Sequence, residues 1–201
     1  MDQDRVWLKL SGTAGIITPI IAFTCILLSI DSYPLFSWTD NALSDLGVVD
    51  GITSTLFNCG LMASGVLALV FTTGLFELSR EKIVGRIGAW LFALASLALL
   101  AIGIFLESAK PMHYYASVAF FALSPIAMLV IAAAFFNAQK VKMGLFTLIT
   151  AIIAVVPWTM QFSIRYVPNV AIPETISALS ASAWFIVLGV SILSKVAQRQ
   201  S

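Results

Sequence analysis

The side chains able to do chemistry in this chain are few, and they gather at the ends of long apolar runs. The first group is Asp40, Asn41, Ser44 and Asp45. Asn41 and Asp45 are four residues apart, as are Asp40 and Ser44, so on a helix the four share one polar face. Farther along stand Glu107, His113 and Glu174. Carboxylates and imidazole are the usual carriers of protons near neutral pH. Asp45, Glu107, His113 and Glu174 are therefore the candidate catalytic groups. Asn58, Ser117, Trp158, Gln161 and Ser177 bring neutral hydrogen-bonding groups and Arg165 a cation. With Asp40, Asn41, Ser44 and Asp45 they form the candidate ligand-binding set.

Several chemistries are excluded at once. A single histidine rules out any zinc site that needs two or more imidazoles, so no metal and no cofactor is expected. Cys25 and Cys59 form no Cys-x-x-Cys and have no charged partner to depress a thiol pKa, so they read as small packing residues. Ser44, His113 and Asp45 have the types of a nucleophilic triad, but no Gly-x-Ser-x-Gly accompanies them.

The elements that must position these groups follow from composition. Of 201 residues, 60% are apolar and 10% charged, and mean hydropathy is +0.99. Globular domains carry about 25% charged residues. A soluble enzyme, a disordered chain and a disulfide scaffold are excluded, leaving an integral membrane protein. The net charge of +1 gives no bulk attraction to nucleic acid. About 20 apolar residues of helix cross a hydrocarbon core. Six stretches qualify: 10–30, 52–76, 87–106, 113–136, 144–164 and 174–194. They predict an all-α fold, a single six-span bundle over 1–201. The first stretch reads as a retained helix, because no small-x-small cleavage site follows it.

Eleven lysines and arginines fix the expected orientation. Arg5, Lys9, Arg80, Lys82, Arg86, Lys140, Lys142, Lys195 and Arg199 fall on one side, and Lys110 and Arg165 on the other. The positive-inside rule then places both termini in the cytoplasm of a multi-pass cell-membrane protein.

The connection 31–51 is too long for a plain helical hairpin. Thr39 or Asp40 suits an N-cap and Gly47 a left-handed stop, which predicts a short amphipathic helix over 40–46. It lies at the outer surface or dips into the mouth of the bundle. Asn41-Ala42-Leu43-Ser44-Asp45-Leu46-Gly47 in such a loop, with Pro111-Met112-His113 at the mouth of span 4, resembles a family of six-span archaeal and bacterial membrane proteins of unknown function. The resemblance spans nearly the whole chain. It implies the fold and the membrane location, and no activity.

The polar groups come from separate spans but share one membrane depth, so they can line an outward-facing pocket. The pocket favours binding of a lipid or other amphiphile, with membrane lipids as partners and a homo-oligomer or an accessory-subunit role open. A membrane hydrolase acting on a lipid-like substrate is the alternative. A small transporter or channel subunit is another, although ion transport should leave ionisable groups along the spans. No Asp, Glu, Lys or Arg lies within the six stretches except Glu174 at one lip.

Overall fold

The computed structural model describes residues 3–78 and 83–198. Arg80, Lys82 and Arg199, three of the topology-setting cations, lie outside the described residues. The chain forms six long α-helices: α1 (Gln3–Asp31), α2 (Ile52–Leu78), α3 (Ile83–Ile104), α4 (Met112–Asn137), α5 (Val141–Ile164) and α6 (Ala171–Gln198). All six are long and apolar enough to cross a membrane. A helix satisfies its own backbone hydrogen bonds, which is what an apolar medium demands. The expected spans are all present. α1 begins earlier than expected and carries Arg5 and Lys9 within it, while α3 stops at Ile104 and leaves Glu107 in the following loop.

Each helix packs against its neighbours in sequence, and α6 returns to α1, so the six close into a ring. Small residues allow the close approaches. A Cβ on Gly189 would stand 2.7 Å from the Gly12 carbonyl oxygen, and one on Gly65 2.6 Å from the Leu100 nitrogen. Glycine at such seams is how helices in lipid come into backbone contact. Hydroxyl groups tie the same seams. Ser11 Oγ donates to the Phe71 carbonyl at 2.9 Å, and Ser180 Oγ to the Thr150 carbonyl at 2.7 Å. Trp7, Trp38, Trp90, Tyr114 and Tyr115 point outward, as amphipathic aromatics do near a membrane interface.

The half of the ring nearer the termini is filled. Phe71, Phe92, Trp184 and Phe185 form an aromatic knot, with Phe92 and Trp184 centroids 4.9 Å apart. Trp184 is fully buried and its indole N–H donates to Thr147 Oγ1 at 3.2 Å. The other half, at the end of the 31–51 loop, is filled less completely.

That loop differs from the helix expected over 40–46. Residues 43–48 form a 3-10 helix, Leu43–Val48, and Asp40–Ala42 lie outside it. Asp40 does not cap a helix, because its carboxylate accepts from the Ser37 and Thr39 hydroxyls. Those two bonds hold the Asp40 carboxyl below the usual carboxylate range, Ser37 contributing most. Asp40, outside the 3-10 helix, therefore does not share the expected helical face with Ser44. Gly47 is not a left-handed stop but part of the 3-10 helix, and positive φ falls instead at Gly51, at 93°. Asn169 is the second cause. Its amide N–H donates to the Thr39 carbonyl, its side chain to the Asp40 carbonyl, and Ala171 N–H to the Asn41 carbonyl. Residues 39–41 are thereby paired with 169–171 and held out of a helix.

Candidate functional site

The 3-10 helix sits in the mouth of the ring. Leu46 is fully buried and Leu43 is 6% exposed, packed with Ile26, Phe57, Leu61, Leu99 and Ile102. Asn58 Nδ2 donates to the Gly47 carbonyl at 2.9 Å and pins the far end. Asn41 Nδ2 and the Ala42 amide both donate to Asp45 Oδ2, at 2.8 and 3.0 Å, and fix the near end. The expected Asn41–Asp45 pair therefore forms, although without a full α-helical turn between them. The element is a plug of under two turns held by side chains that the sequence places within reach.

Glu174, in the first turn of α6, meets the plug from the side. Its Oε2 accepts from the Leu43 amide at 2.7 Å, and the residue is 7% exposed. Pro173 beside it is tolerated because the first helical N–H groups have no intrahelical acceptor. The Glu174 carboxylate stands within electrostatic reach of Glu107 and Asp45. Glu107, on the α3–α4 loop, packs its carboxyl against Asp45 and the Ser44 hydroxyl. Burial pushes the Glu107 carboxyl above the ordinary glutamate range. The bond to Asp45 and its charge push the same way, while Ser44 and His113 oppose them. His113 is 6% exposed, and its Nδ1 donates to the Phe105 carbonyl at 2.6 Å. That bond fixes the ring orientation and presents Nε2 as the free nitrogen. Nε2 and Glu107 Oε2 are both buried without a hydrogen-bond partner. The four candidates for acid–base chemistry are thus gathered at one end of the bundle.

Beneath the plug lies a cavity of about 80 Å³. Its walls come from α1, α2, α3, α4 and α6 and are largely apolar, with Phe57, Leu61, Leu99, Phe120, Ala181 and Phe185 among them. From Glu174 to Phe185 it follows α6 for roughly 16 Å, at ~1.5 Å per residue. Its polar lining is uneven. Thr18 and Ser182 return their hydroxyl protons to their own helices, at the Ala14 and Ala178 carbonyls. Ser44, Ser117 and Glu174, all near the plug, remain to face a ligand.

The remaining candidates divide. Ser177 borders a smaller crevice beside this cavity and donates to the Ala154 carbonyl at 2.7 Å. Asn58, Asn41 and Asp45 hold the plug and do not line the cavity. Gln161 is buried but directs its Nε2 to the Val167 carbonyl at 2.9 Å, closing the α5–α6 loop. Trp158 packs outside the cavity against Phe121 and Phe162, with centroids at 4.8 and 5.9 Å. Asp40 is exposed. Arg165 is exposed as well, in a left-handed conformation (φ 45°) that ends α5, so it is not a counter-charge to the acids. Leu43 and Asn169 act at the site without having been expected. Each works through a partner more than 120 residues away, and no local pattern marks such a contact.

Among the described residues, no three His, Cys, Asp or Glu side chains are grouped to hold a metal ion. Cys25 and Cys59 are free thiols, and Cys25 packs against Gly60, where a Cβ would come within 2.9 Å of its sulfur. No curated protein and no solved structure matches the chain. A family described as "Protein of unknown function (DUF998)" matches residues 16–191, which reach into all six helices and include the plug. The chain belongs to that family, a family of proteins of unknown function.

Proposed function

We propose that this membrane protein binds an amphiphile drawn from the lipid around it. The apolar part enters the cavity and the polar part stays under the plug, beside Ser44, Ser117 and Glu174. The observation that carries this reading is the cavity's polarity: apolar walls from five helices, with the open polar groups at one end only. Its shape agrees. About 80 Å³ drawn out over roughly 16 Å suits a single alkyl chain better than a ring system. It is well below the ~300 Å³ and more of a pocket that encloses a whole drug-sized ligand. The site therefore takes one chain or the end of one. Hydrolysis receives less support, because neither Asp45, Glu107 nor His113 lines the cavity and a scissile bond there would meet Glu174, Thr18 and serines.

The test is to fill the cavity. Ala181→Phe and Ala22→Phe place a ring where the chain would lie. Both variants should keep their helix content and monodispersity while losing saturable binding of a spin-labelled alkyl probe. Unchanged probe binding in both variants contradicts the reading.

A further inference from the structure

The open groups at the polar end of the cavity are the Glu174 carboxyl and the Ser44 and Ser117 hydroxyls. Asp45, Glu107 and Glu174 converge, yet among the described residues no lysine or arginine pairs with any of them. The two cations expected at this end, Lys110 and Arg165, are exposed. The backbone donors that reach the cluster from the plug are already taken, the Leu43 amide by Glu174 and the Ala42 amide by Asp45. A second observation points the same way. His113 is more than nine-tenths buried, its Nδ1 is bonded to the Phe105 carbonyl, and its Nε2 is buried without a partner, as is Oε2 of Glu107, whose carboxyl lies within electrostatic reach of the ring. Ser44 joins these acceptors to the cavity, because it lines the cavity and bonds to Glu107.

From this geometry we infer that the head group of the bound amphiphile is a protonated primary amine. The inference rests on the amphiphile reading above and names its ligand class. A phosphate or carboxylate head would meet the Glu174 carboxyl, with Glu107 and Asp45 behind it and no paired cation, an arrangement that costs heavily in a poorly solvated site. A quaternary ammonium brings charge but no N–H. A hydroxyl brings one proton and no charge. A primary ammonium offers three donors and a positive charge to a buried carboxyl and two hydroxyls that no lysine or arginine among the described residues serves.

Four compounds with one dodecyl chain separate these cases: dodecylamine, dodecyltrimethylammonium, dodecanol and dodecanoate. Each competes against the spin-labelled alkyl probe on the full chain in nanodiscs of neutral lipid, with Ala181→Phe as the background. Dodecylamine should displace the probe about ten-fold or more below the concentration needed for dodecanol or the quaternary compound, as a charge-assisted hydrogen bond warrants. Dodecanoate should be the weakest. Glu174→Gln should remove most of the amine's advantage and leave dodecanol unchanged. Glu107→Gln should do the same more mildly, and serves if Glu174→Gln is unstable. Equal displacement by amine and alcohol overturns the head-group assignment and leaves the cavity reading intact. No saturable displacement by any of the four overturns the cavity reading itself.

Discussion

Replacing Glu174 by alanine tests how the plug is held. Its Oε2 is the acceptor for the Leu43 amide, at 2.7 Å, and both residues are buried. Alanine leaves that amide buried without a partner, a loss of about 1–3 kcal/mol. The loss should be local. The plug keeps its Asn58–Gly47 bond, the Leu46 anchor and the pairing of 39–41 with 169–171, whereas the aromatic knot lies toward the other end of the ring. Local opening is read by hydrogen exchange, where about 1.4 kcal/mol is ten-fold. Amides of 43–48 should therefore exchange about ten- to a hundred-fold faster in Glu174→Ala, with the centres of α2 and α3 unchanged. Glutamine retains a carbonyl acceptor at the same reach, so Glu174→Gln should exchange within a few-fold of the parent. Unaltered exchange in Glu174→Ala, or equal acceleration in both variants, refutes the assignment of this bond as the plug's latch.

Other outcomes follow from the same packing. Leu46→Ala removes a fully buried anchor and should cost about 2–5 kcal/mol, seen as a lower Tm in detergent. Gly65→Val would drive a Cβ to 2.6 Å from the Leu100 nitrogen and should abolish a monodisperse folded species, read by size-exclusion chromatography. The Glu107 carboxyl, raised by burial and by Asp45, holds its proton more tightly folded than unfolded. Its stabilising contribution is then complete below the ordinary glutamate pKa and is lost as pH rises through the raised one. Tm should fall across that window, with Asp45, Ser44, His113 and Glu174 as the facing groups, and Glu107→Gln should flatten the fall. Single cysteines at Lys140 and at Asp50, in a chain lacking Cys25 and Cys59, should report opposite sides to an impermeant reagent in intact cells. The positive-inside count expects labelling at position 50 only, and labelling at position 140 would reverse the orientation.

What was legible in the sequence had local causes. Six uncharged apolar runs can satisfy their backbones in lipid only as helices, and the six helices appear where those runs lie. The convergence of Asp45, Glu107, His113 and Glu174 was legible too, since their positions along the spans put them at one depth. The conformation of 40–46 was not. Asp40 looks like an N-cap until Ser37 and Thr39 occupy it, and Asn169 captures the 39–41 backbone from across the bundle. Arg165 misled for a related reason: a lone cation near acids suggests a pair, but the end of α5 turns it outward. The cavity could not be read at all. Its lining residues, such as Leu61, Leu99 and Ala181, are indistinguishable in type from their lipid-facing neighbours, and only the packing of five helices selects them.

The central claim is that the space beneath the plug holds an alkyl chain, and photolabelling tests it most directly. A dodecyl chain carrying a diazirine near its far end, irradiated with the protein in nanodiscs and mapped by peptide mass spectrometry, reports where that end resides. Adducts should concentrate at Ala22, Leu61, Phe121, Ala181 and Phe185, and unlabelled dodecylamine should suppress them. Adducts confined to outward-facing residues such as Leu28, Leu97, Ile153 and Val190, unaffected by competitor, would place the chain in bulk lipid and contradict the account.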